Sequence, residues 1–252
     1  MEAVAWRLDA RTTWLASGAI AGVVVFNLGW LVAGALQTGG YSVAAHDVSD
    51  LAALTAQAPW VMLLGNGVAG VLTIGFALFA LRPALAVPGR RSALGAWLLA
   101  ASLMGLDNLS DVFFRLDCRV ADPGCVPAGS WHGTVHMVVG ALCAVVTLAL
   151  PFVLAWRMRR LDGWRDLARP SVVFGVVFAV VLFSYAALEG RTGGGYLQRA
   201  AILLLSGGVV ALALRVRSLA RVRGDDAEGA AVGLSSRPTA PWRRRSSGPR
   251  SV

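Results

Sequence analysis

Six long apolar stretches, at 13–37, 58–82, 93–114, 131–155, 170–189 and 197–215, constrain this chain more than any motif it carries. A bilayer core about 30 Å thick takes about 20 apolar residues as a helix, and each window meets that length. Charged residues make up only 15% of the chain and mean hydropathy is +0.64, where a soluble domain carries about 25% charged residues. Alternation at period two is absent, which favours helices over a barrel. The expectation is an all-α polytopic membrane bundle of six transmembrane helices. Its segments are a short N-terminal piece (1–12), the membrane domain (13–215) and a basic tail (216–252) that is too polar to offset ordering entropy.

The chain has no lysine, so orientation rests on arginine. Arg7, Arg11, Arg82, Arg90, Arg91, Arg157, Arg159, Arg160, Arg165, Arg169 and the tail share one side of a six-span topology, against Arg115, Arg119, Arg191 and Arg199 on the other. The positive-inside rule then places both termini in the cytoplasm and loops one, three and five outside a plasma membrane. A signal peptide ending near Ala33-Gly34-Ala35 is the alternative for the first stretch, although its apolar core is longer than such peptides carry. The net charge of +9 does not indicate nucleic acid, because the aromatics lie in apolar runs rather than among the basic clusters. The partners expected are the bilayer and a lipid or small amphipathic ligand. Arg243-Arg244-Arg245 could also touch anionic headgroups.

Polar residues inside the stretches carry the only hint of chemistry. At about 1.5 Å per residue, Asn27 lies about 21 Å from the inner end of its span, and Asn66, Asp107 and His136 lie about 8 to 10 Å below the outer surface. Four helices thus place a polar residue in one layer. An ionisable group in lipid costs at least about 2.5 to 3.5 kcal/mol, so such groups turn inward and find partners. Asp107 and Asp111 share one helical face, as do His132 and His136. Asp117, His46, Asp47, Asp50 and Glu189 lie toward the same end.

This set admits three readings. His46, His132 and His136 could ligate a metal such as zinc, with Asp107 or Asp117 as catalytic base. Asn27, Asn66, Asp111 and Glu189 could line a ligand pocket or a proton-coupled path. The layer could also be structural glue worth about 0.6 kcal/mol per pair. Histidines that share a helix suit bis-histidine haem poorly. Cys118 and Cys125, in one outward loop, are expected as a disulfide rather than a metal knuckle. Cys143 is expected to be inert in its span. Glycines 65, 67, 70, 133, 140, 207 and 208 read as helix-packing positions. Trp30, Trp60 and Trp131 read as outer interfacial anchors, and Trp156 and Trp164 as inner ones. No phosphate-cradling motif is present, which leaves nucleotide-driven transport unsupported.

The segment Tyr41-Ser42 through His46-Asp47-Val48-Ser49-Asp50-Leu51, the run Phe114 to Asp117 followed by His132 and His136, and Tyr196-Leu197-Gln198-Arg199 resemble the domain of unknown function 998 family over 13–215. That resemblance implies a six-helix membrane protein of unassigned activity. His132, His136 and Asp107 or Asp117 also resemble, more weakly, the zinc site of the alkaline ceramidase and adiponectin-receptor-like membrane hydrolases. That likeness implies a metal-dependent hydrolase of a lipid amide or ester, although the third histidine, His46, lies in a loop and the spans number six rather than seven.

Overall fold

A computed structural model describes residues 10–86 and 93–235, with side chains to 221, and all of its regular elements are helical. Five helices are long and apolar enough to cross a membrane: α1 (Ala10–Ala35), α2 (Pro59–Phe76, continuing to Ala84), α5 (Trp131–Met158), α6 (Arg165–Leu188) and α7 (Gly194–Ser235). The start of the chain, Arg90 and Arg91 in the second loop, and the tail arginines beyond Ser235 lie outside the described residues.

The third apolar stretch departs from expectation. Instead of one helix it forms α3 (Leu94–Ala100), an extended Ser102 at ψ 176°, and then α4, a π turn (Leu103–Asp107) running into Asn108–Ser110. No proline causes the break. The Leu103 N–H, left without a partner in its own helix, donates to Thr147 Oγ1 on α5 at 3.0 Å, and the Ser102 hydroxyl accepts from Met104 N at 3.3 Å. Irregular backbone persists at membrane depth only where such partners exist. Gly95 abuts Leu154 near one end of α5, while Asp111 reaches His136 near the other, so the broken segment runs the length of the bundle.

Small residues set the closest approaches. A Cβ on Gly65 would sit 3.4 Å from Phe26 Cα, one on Gly22 3.3 Å from Ala69 Cα, and one on Gly70 2.7 Å from Leu109 N, which draws α1, α2 and α4 together. Gly207 is the exception, since a Cβ there would meet nothing within 4 Å. The tryptophans also divide. Trp60, Trp131 and Trp156 are exposed, whereas Trp30 and Trp164 are buried in the core. Large apolar side chains such as Leu28, Leu64, Phe79, Leu142, Val173 and Phe183 remain outward along the helices. A belt of this kind suits lipid and not water.

The two ends of the bundle are built differently. At one end Arg157 donates to Leu85 O at 2.8 Å and 3.0 Å, and Arg215 pairs with Asp166. At the other, the loops before α2, before α5 and before α7 are woven together. Leu54 N donates to Leu116 O at 2.9 Å, Gly193 N to Ala44 O at 2.8 Å and Val120 N to Asp50 Oδ1 at 3.2 Å. The Cys118–Cys125 disulfide closes the middle loop, as the sequence led us to expect, and Cys143 is buried and free.

Candidate functional site

A cavity of about 510 Å³ lies between α2, α4, α5, α6 and α7 beneath the woven loops. The helical spacing read from the sequence explains how its polar wall forms. Asp107 and Asp111, one turn apart, both line it, joined there by His136 from α5 and Asn66 from α2. Asn66 Nδ2 donates to Asp111 Oδ2 at 3.3 Å, and His136 Nδ1 lies 2.9 Å from Asp111 Oδ1. Phe114 O stands 3.2 Å from the same imidazole nitrogen and can only accept, so Nδ1 carries a proton.

Three buried oxygens at this wall have no hydrogen-bond donor: Asp107 Oδ1, Asn66 Oδ1 and Asp47 Oδ1. Buried polar atoms are ordinarily satisfied, so three unmet acceptors around one space mark what the space lacks. It lacks donors. Asp47, Ser49, Asn108, Tyr185, Glu189 and Gln198 complete the described polar lining, and no arginine is among the described lining residues.

The floor of the woven loops positions Asp47. Tyr185 Oη donates to Asp47 Oδ2 at 2.6 Å, and Gln198 Oε1 accepts from Val48 N at 2.6 Å. Arg199 is spent on scaffolding: its guanidinium donates to Val43 O and His46 O at 2.9 Å each, to Gly195 O at 2.8 Å and to Tyr41 Oη. Arg115 likewise binds Ala52 O and Ala53 O, and Arg119 binds Asp122, Gln37 and Thr38. Burial raises the Asp47 carboxyl to about 6, against the pull of the Tyr185 hydroxyl. Asp50, 1% exposed, is likewise raised to about 6 by burial. The Arg119 fork holds Asp122 down at about 2.

The residues singled out from the sequence separate into two groups. Asp47, Asn66, Asp107, Asp111, His136 and Glu189 meet at the cavity. The others stand apart with partners of their own. Asn27 donates to Ser206 Oγ at 2.9 Å and accepts from Trp30 Nε1. His46 Nδ1 accepts from Ser42 N at 2.8 Å. His132 is exposed, stacked 3.7 Å from Trp131 between ring centroids.

Asp117 accepts from Ser130 N and Ser130 Oγ, at 2.6 Å each, and Ser130 in turn caps α5. These bonds hold its carboxyl below the usual range and brace the start of α5. Among the described residues no three His, Cys, Asp or Glu side chains converge as a metal set, so His46, His132 and His136 are not brought together. Tyr185 and Asn108 also line the cavity and were not singled out in the sequence: Tyr185 reads as one more large side chain of its span, and Asn108 stands beside the more costly Asp107.

A family model described as protein of unknown function (DUF998) matches residues 20–215. The chain belongs to that family. No curated protein and no solved structure matches the chain.

Proposed function

We propose that this member of the DUF998 family is a six-crossing integral membrane protein of the plasma membrane that binds a positively charged, hydrogen-bond-donating ligand in its outward-facing half. The topology follows from the arginine bias with both termini cytoplasmic. Support comes from Arg115, Arg119 and Arg199, three of the four cations on the outward side, because each is bonded to loop carbonyls and is not a free topogenic charge. The broken third segment counts as a crossing, since it passes from Leu154 to His136.

The observation that carries the ligand reading is the set of unmet acceptors at Asp107, Asn66 and Asp47 around a space walled by four acids and one histidine. An ammonium group brings up to three donors and a compensating charge. Broken membrane helices commonly frame ion and substrate sites in this way.

The test uses protein in lipid nanodiscs, titrated calorimetrically with ethylammonium and butylammonium against empty nanodiscs. Saturable binding is expected in the wild type and in Asp117→Asn, whose carboxylate braces α5 away from the cavity. Asp107→Asn should weaken it at least tenfold, about 1.4 kcal/mol. Equal binding by Asp107→Asn, or no saturable heat in the wild type, overturns the reading.

A further inference from the structure

A second cavity of about 430 Å³ abuts the first on the side away from the woven loops. It lies between the break in the third segment and helices α5, α6 and α7. Met104 and Leu205 line both spaces, so the two meet at the π turn that follows the break. The character changes across that seam. The second space is walled by leucines, Phe174, Met158 and two prolines, with Ser102, Thr147 and Ser171 as the only hydroxyl-bearing residues among its described lining. Each hydroxyl is already engaged: Ser102 donates to Leu99 O, Thr147 to Cys143 O and Ser171 to Met158 Sδ. Thr147 and Met158 both line it, and eleven residues of α5 separate them, which gives the space a length of about 16 Å along the helix.

We infer that the ligand is a single-chain amphiphile with an amine head and an alkyl tail, the head at Asp107 and Asn66 and the tail in the apolar space beyond Met104. This deepens the cation-binding reading and rests on it. The polar cavity alone would accept any small ammonium ion. The adjoining apolar space is what selects for a chain, because walls with no unmet buried side-chain polar atom reward apolar contact. With no arginine and four carboxylates among the described lining residues, the charge balance of the space disfavours a phosphate in the head. A long-chain amine therefore fits where a glycerophospholipid does not. The bilayer and the medium outside the cell are two sources of such an amphiphile, and both share this chemistry.

Gly207 supplies the discriminating variant. It lines the apolar space from an exposed position on α7, and a Cβ added there meets nothing within 4 Å, so a larger side chain can be placed at the wall of the space without a clash. In nanodiscs, wild-type affinity should rise along the series butylammonium, octylammonium, dodecylammonium by up to about fourfold per methylene, blank-corrected with empty nanodiscs. Gly207→Phe should bind butylammonium as the wild type does and lose most of the gain with chain length. Ala211→Phe, on the same helix and lining the same space, repeats the test should Gly207→Phe fail to fold.

Dodecanol and lysophosphatidylethanolamine should not compete with dodecylammonium. Loading dodecylammonium into the nanodisc lipid, as opposed to adding it from the aqueous side, reports the source: slower onset from one side identifies the other as the entry. Butylammonium binding with no gain from a longer chain, or a gain untouched by both plugs, sinks the tail assignment and leaves the cation site standing. Absence of butylammonium binding removes the cation site itself.

Discussion

At the residue scale, Asp50 shows how the outer loops store acid. It is 1% exposed, accepts from Val120 N and has a carboxyl raised to about 6 by burial. An acid whose pKa is higher folded than unfolded favours the folded state fully below its unfolded value near 4, and loses that contribution as pH rises through about 6. The effect is on the order of 3 kcal/mol for Asp50, with Asp47 acting in the same direction. Thermal unfolding should therefore occur at higher temperature at pH 5 than at pH 7.5, and Asp50→Asn, which resembles the protonated acid, should flatten that slope. An unchanged slope in Asp50→Asn would rule this account out. The layer of Asn66, Asp107 and His136 was legible from rise per residue alone. The separation of His46 and His132 from that layer was not, because which way a loop histidine turns is decided by Ser42 N and which way an interfacial one turns by the Trp131 ring.

At the scale of elements, the sequence announced the spans through hydropathy and length, and the structure keeps five of them as continuous helices. The sixth was misread because Ala-Ser-Leu-Met-Gly carries no proline and little polarity, so nothing local signals a break. Tertiary partners create it: Thr147 takes the freed Leu103 N–H, and Gly105 lets the chain fold back on α3. A Cβ on Gly105 would lie 2.3 Å from Ala100 O and 2.9 Å from Leu99 O. Gly105→Ala is expected to destabilise the protein by about 1–3 kcal/mol and to weaken alkylammonium binding with it. Gly207→Ala, in open space, should be near neutral. Equal unfolding temperatures for the two variants would show that the break tolerates a methyl group. The tryptophans teach the same lesson at smaller cost, since Trp30 and Trp164 sit at anchoring depth yet face inward to fill the core.

For the whole molecule, the two differently built ends give the topology a direct test. Single cysteines introduced at Arg191 and at Arg160, in a background lacking Cys118, Cys125 and Cys143, should react with an impermeant maleimide from opposite sides of intact cells, Arg191→Cys from outside. Labelling of both from one side would remove the six-crossing arrangement. The fold class and the polar layer were open to sequence reasoning because both follow from the cost of polar groups in lipid. The cavities were not, since they are volumes left by packing, and no single residue encodes a volume.

The interrupted third segment also bears on how the chain is made. A seven-residue helix ending in unpaired backbone groups is a poor passenger in hydrocarbon by itself, and its missing acceptor, Thr147, is synthesised more than forty residues after Leu103. The break therefore acquires its Thr147 partner only once α5 exists, and the wall it gives the pocket depends on a helix that follows it in the chain.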